Sequence, residues 1–120
     1  MAGRLYTTAY ELVHCALALF TPGASFQEVG QALFARIPRA YVPLRYPYLA
    51  HGVGLTDEYP GIVGLDDQAG EAEDNMVFSV EAYVGQEGGR QGVKLEEQFL
   101  VTTEGPQVFS SAPYDERLLA

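Results

Sequence analysis

Two apolar runs joined by a glycine turn constrain this chain more than anything else in it. Over Met76–Val84, residues Met76, Phe78, Val80 and Ala82 fall on one face of a strand and Val77, Ser79, Glu81 and Tyr83 on the other. Gly85 to Gly89, with Gly88 and Gly89 adjacent, reads as a turn, and Gln91 to Thr103 supplies one or two further strands. Each run contains a carboxylate that an apolar strand does not need: Glu81 in the first, Glu96 in the second. An unpaired carboxylate in a buried strand is costly. Fifteen positions apart with a turn between them, the two glutamates are expected on neighbouring antiparallel strands, where side chains of one face converge within a few ångströms.

A third polar residue stands apart, in Ala50-His51-Gly52-Val53-Gly54-Leu55-Thr56-Asp57-Glu58-Tyr59-Pro60. Glycines at 52 and 54 allow backbone to approach something bulky or charged. The stretch reads either as a tight turn with a packed histidine or as a flexible loop delivering a ligand.

The rest of the chain reads as support. Leu5 to Phe20 carries Leu5, Leu12, Val13, Ala16, Leu19 and Phe20 at helical intervals, and Thr21-Pro22-Gly23 ends that helix. Ser25-Phe26-Gln27-Glu28 matches a capping box and opens a second helix to about Arg36, burying Phe26, Val29, Leu33 and Phe34. His14 sits in the first helix without a second ligand at i+3 or i+4, which favours a structural role. Pro43 and Pro47 point to irregular extended backbone over Arg39–Tyr48, leading into His51. Tyr46 lies there, as an aromatic packing residue or with its hydroxyl turned to a ligand. Gly61 to Asp74 reads as a polar surface loop, Val108-Phe109 as a short strand, and Ser110 to Ala120 as a tail ending in a helical turn.

Composition narrows the function. The formal net charge of −9, from 16 acidic and 7 basic residues, argues against nucleic acid as a partner. Seven of the acids lie between Asp57 and Asp74, either as a solvated loop or as a rim that attracts cations. No run of 18 apolar residues occurs, so no membrane span is expected, and the first residues lack a signal-peptide layout. The single cysteine, Cys15, has apolar neighbours and reads as a buried thiol in a reducing, cytoplasmic setting. No G-x-S-x-G occurs to suggest a serine nucleophile.

One imidazole and two carboxylates, His51, Glu81 and Glu96, offer nitrogen and oxygen donors for a divalent transition metal such as Zn, Mn, Fe or Co. Their spacing fits such a site without specifying one. Asp57 is then placed to act as acid or base on a metal-held small-molecule substrate, with Glu58 as a competitor.

Taken in order, Thr21-Pro22-Gly23-Ala24-Ser25-Phe26-Gln27-Glu28-Val29, Ala50 to Leu55, Asp57 to Pro60, Phe78 to Tyr83 and Gly92 to Gly105 resemble the C-terminal half of the methionine aminopeptidase, prolidase and creatinase superfamily, the pita-bread metalloenzymes. The resemblance implies an α+β fold, with two N-terminal helices followed by an antiparallel sheet. It implies a dinuclear site made by two aspartates, one histidine and two glutamates. By motif, His51 is the histidine ligand, and Glu81 and Glu96 are the two glutamates. Glu97 falls where relatives carry an acidic residue or a histidine.

Two departures qualify the resemblance. The peptidases commonly carry a histidine where this chain has Asp57, and the aspartate form is similar to the dimethylsulfoniopropionate lyases of the same superfamily. There the aspartate removes the proton α to the substrate carboxylate, dimethyl sulfide leaves and acrylate remains. The resemblance favours iron, and matches Tyr46 to a tyrosine of the lyase pocket. The chemistry agrees: an ionised aspartate cannot donate to a developing oxyanion but can accept a proton. The second departure is that both aspartate ligands belong to the part of the fold preceding these motifs. Residues 1–120 are therefore expected to form a partial catalytic domain, inactive alone and completed by an N-terminal chain or within a homodimer. A Xaa-Pro peptidase-like metallohydrolase and a non-catalytic interaction fragment are the alternative readings.

Overall fold

The computed structural model describes residues 2–56 and 58–119. Helix α1 (Ala2–Leu19) buries Leu5, Ala9, Val13, Ala16 and Leu17, with Phe20 buried just past its end. This is the three-and-four spacing of one helical face laid against a sheet. Helix α2 (Phe26–Arg36) begins at Ser25, whose hydroxyl accepts from the Glu28 amide at 3.4 Å. It buries Phe26, Val29, Gly30 and Leu33.

The sheet has the order β2-β1-β3-β4-β5, and every neighbouring pair is antiparallel. Its strands are β1 (Ala50–Gly52), β2 (Gly61–Ile62), β3 (Val77–Gly85), β4 (Gly92–Leu100) and β5 (Gln107–Val108). The β3–β4 hairpin forms the centre, pairing nine residues from Val77↔Leu100 to Gly85↔Gly92. Period-two alternation then divides the sheet into two faces. Phe78, Val80, Ala82, Val84 and Phe99 point into the core beneath the helices. Phe78 anchors that layer, with ring centroids 4.7 Å from Phe20, 5.9 Å from Phe26 and 6.4 Å from Phe99. Ser79, Glu81 and Tyr83 of β3 lie on the other face, as expected.

Several segments differ from the sequence-based expectation. Arg39–Leu44 is a 3-10 helix rather than irregular extended backbone. Proline lacks an amide proton but its φ suits this helix; one turn closes ahead of Pro43 through Tyr41 N–H to Pro38 C=O, and one closes across it through Arg45 N–H to Val42 C=O. His51 does not ride on a flexible loop; it is the middle residue of β1. Gly52 is needed there, because a Cβ would collide with the Tyr59 carbonyl oxygen, whereas Gly54 faces open space. The 61–74 segment is more than a surface loop: Ile62, Asp67 and Ala72 are buried. Asp67 accepts from the amides of Val63 (2.6 Å) and Gly64 (2.9 Å), so its charge serves the turn. Cys15 is only partly buried.

His14 behaves as a structural residue. Its Nδ1 lies 2.9 Å from the Tyr10 carbonyl, and its ring stacks on Tyr10 at 3.9 Å. Tyr114 meets this pair edge-on, 4.8 Å from the Tyr10 ring, and so ties the C-terminal tail to α1. The tail ends in a short 3-10 turn, Glu116–Leu118.

Candidate metal centre

Register builds the site. On β1, His51 sits opposite Ser79 of β3; on β3, Glu81 sits opposite Glu96 of β4. Residues directly opposite in an antiparallel pair share a face, and residues two apart do too. Three adjacent strands therefore present His51, Glu81 and Glu96 to one side, away from the helices. One donor atom from each lies within 4.8 Å of the others. Metal–ligand distances of about 2.0–2.2 Å put donors sharing one ion at most ~4.4 Å apart, so modest side-chain rotation closes the set.

Burial makes this arrangement meaningful. The Glu81 side chain is 3 % exposed and that of His51 is 12 % exposed. Glu81 Oε2 is buried and has no hydrogen-bond partner, although His51 Nε2 is 3.4 Å away. The other imidazole nitrogen, Nδ1, is 3.0 Å from the Gly52 carbonyl oxygen. A carbonyl only accepts, so Nδ1 carries the proton, and in the neutral ring Nε2 aims a lone pair towards Glu81. Two lone pairs facing each other at this range are reconciled by a metal ion or a proton between them. The orphaned Glu81 oxygen and the histidine tautomer thus fit a nitrogen-and-oxygen metal site.

Two residues that sequence reasoning did not single out complete the geometry. Ser79 donates to Glu96 Oε1 at 2.6 Å and holds that half-exposed carboxylate over the site. Lys94 places Nζ 2.7 Å from Glu81 Oε1 and 3.8 Å from Glu96 Oε2. The Glu81 hydrogen bond is the main cause that holds the Lys94 ammonium above its usual pKa, with burial opposing it. Both residues were within reach of period two, since Ser79 lies two before Glu81 and Lys94 two before Glu96.

Tyr46 also stands at this site. Its ring carries Lys94 Nζ 4.3 Å from the centroid. Its hydroxyl is shifted towards higher pKa first by the Glu81 carboxylate and then by Glu58. Asp57, expected as the base, lies outside the described residues. Glu97 is on the opposite face of β4, across from Val80. It accepts from the Tyr114 hydroxyl at 2.8 Å and takes no part in the centre.

Comparison with known proteins identifies the family and the fold. The model of metallopeptidase family M24 matches residues 2–103. A dimethylsulfoniopropionate lyase DddP from Roseovarius nubinhibens is 35 % identical over 117 residues, covering 92 % of this chain and 26 % of that protein. A DddP from Roseobacter denitrificans is 38 % identical over 80 residues, covering 62 % of this chain and 18 % of that protein. The chain thus spans about a quarter or less of the curated relatives it matches. Among solved structures, an X-Pro aminopeptidase from Thermotoga maritima superposes with a TM-score of 0.76 at 24 % identity, over 92 % of this chain and 31 % of that one. A prolidase from Pyrococcus furiosus gives 0.76 at 24 %, over 92 % and 33 %. These superpositions establish the pita-bread type of fold. With the family model matching most of its length, the chain belongs to metallopeptidase family M24.

Proposed function

We propose that this chain carries part of the metal-holding and base-bearing machinery of a lyase that cleaves dimethylsulfoniopropionate to dimethyl sulfide and acrylate. The observation that supports this most is the 35 % identity, across 92 % of the chain, to a protein named as that lyase. Asp57, where the family's peptidases commonly have histidine, points the same way.

In this reading His51, Glu81 and Glu96 hold the divalent metal, with iron favoured, and Ser79 keeps Glu96 in position. Bound there, the metal supplies Lewis-acid stabilisation to a substrate carboxylate and to charge that develops beside it. Asp57 takes the proton from the carbon α to that carboxylate. The electron pair forms the carbon–carbon double bond of acrylate, and the β-carbon–sulfur bond breaks with its pair going to sulfur. Dimethyl sulfide leaves neutral, and the proton stays on Asp57 until solvent removes it. Tyr46 offers a ring face to the sulfonium, a surface that attracts cations; the ammonium of Lys94 already lies against it.

The family's dinuclear site also uses two aspartates. Asp67 is engaged by backbone amides, which supports an active unit that includes further chain from the same polypeptide or a partner. The structural neighbours named as aminopeptidase and prolidase favour a second reading, Xaa-Pro hydrolysis at the same centre. One experiment separates the two: the complete iron-loaded protein is offered dimethylsulfoniopropionate and, in parallel, an Xaa-Pro dipeptide. Dimethyl sulfide in the headspace with an intact dipeptide supports the lyase. Dipeptide cleavage without dimethyl sulfide transfers the site to peptidase chemistry, and neither product favours a non-catalytic role.

A further inference from the structure

Lys94 is the cation most closely engaged with the centre, and neither the family match nor the proposed reaction gives it a task. Its Nζ contacts Glu81 Oε1 at 2.7 Å and approaches Glu96 Oε2 at 3.8 Å. These are two of the three groups read above as metal ligands. An ammonium and a divalent ion drawn to the same two carboxylates repel each other, at a cost that corresponds to more than about tenfold in affinity. That repulsion is relieved when one of them withdraws. Glu81, 3 % exposed, sits in the middle of β3 and has no freedom to follow the lysine outward. The Lys94 side chain is 41 % exposed and ends a flexible four-carbon stem, so it can swing into solvent. Glu96 stays where Ser79 holds it, by a 2.6 Å hydrogen bond.

We propose that Lys94 is a resident counter-ion of this centre, displaced when a divalent metal binds. It keeps the buried Glu81 charge compensated before loading and sets how tightly the metal is held afterwards. This rests on the reading of His51, Glu81 and Glu96 as ligands. It differs from a lysine that stands clear of Glu81 and Glu96 and grips only a substrate carboxylate, because removing that lysine would leave metal affinity unchanged.

The test is a Co²⁺ titration, followed by visible absorption at pH 7, of the complete protein as wild type, Lys94→Met and Lys94→Arg, with thermal midpoints in chelator alongside. Lys94→Met is expected to bind Co²⁺ at least about tenfold more tightly and to melt a few degrees lower in chelator. Lys94→Arg retains the charge and is expected to stay within about threefold of wild type, separating charge from shape. Lys94→Gln carries the same expectation as methionine, in case the apolar side chain perturbs the fold. Unchanged or weaker Co²⁺ binding by both neutral variants overturns the proposal while leaving the ligand assignment intact. No cobalt uptake by any of the proteins overturns the ligand assignment and this proposal together.

Discussion

Replacing Glu81 by glutamine separates the stability of the strand from the chemistry of the centre. The amide keeps the shape and removes the charge. Against folding stands the loss of the 2.7 Å Lys94 ion pair; with Lys94 41 % exposed, that pair contributes about 1 kcal/mol or less. In favour stands relief of a buried carboxylate with one unpartnered oxygen, since desolvating a charge costs several kcal/mol. Glu81→Gln is therefore expected to melt in chelator at or above the wild-type midpoint. Metal binding should respond oppositely. Changing a residue that merely supports a ligand costs about 10–100-fold in affinity, so removing an anionic ligand should cost roughly 100-fold or more. At metal concentrations 100 times the wild-type Kd, linkage adds about 2.7 kcal/mol of stability to the wild type and only ~0.4 kcal/mol to the variant. For a chain of this size that gap is roughly 10 °C in midpoint. Differential scanning fluorimetry with and without Co²⁺ reads both quantities. A variant that keeps the full metal-induced shift, or melts well below wild type in chelator, refutes the reasoning.

Further outcomes follow from other parts of the molecule. Asp57→Ala in the complete protein should retain metal but lose at least about 100-fold in dimethyl sulfide release; turnover at the wild-type rate would remove Asp57 from the base role. Phe78→Ala should cost about 3–5 kcal/mol in urea unfolding, because the ring is fully buried between Phe20, Phe26 and Phe99; a loss below ~1 kcal/mol would contradict that packing. Burial first, then the hydrogen bond to Glu97, raises the Tyr114 hydroxyl above its ordinary pKa of 10.0. An acid whose folded-state pKa is raised keeps its proton longer in the fold, so its share of stability is complete below pH 10 and is lost as pH climbs through the folded value. Midpoints recorded from pH 8 to 11 should fall at the alkaline end, and Tyr114→Phe should lessen that fall; an equally steep decline in the variant would show the hydroxyl is not its source.

Much of the site was legible before any coordinates. Glu81 and Glu96 were readable because a strand's alternation is local, and a carboxylate in an apolar run stands out against it. The glycine turn between them implied a hairpin, and the hairpin implied opposition, which the Glu81↔Glu96 register displays. His51 was readable as a candidate but not as a strand residue. Three residues of β1 carry too little pattern, and their identity as a strand comes from pairing with β2 on one side and β3 on the other.

The hydrophobic spacing of this chain was enough to specify its helices, its central hairpin and two of its acids, since each depends on neighbours a few positions away. Ser79 and Lys94 became part of the centre only through side-chain reach between strands: the lysine's long stem crosses to Glu81, and the serine hydroxyl crosses to Glu96. Asp67 likewise looked like one more acid in a charged loop until its carboxylate was seen to accept two backbone amides. Local periodicity says which face a residue takes, whereas the atom it meets there depends on strand order and on the length of the side chains opposite, which only the assembled sheet contains.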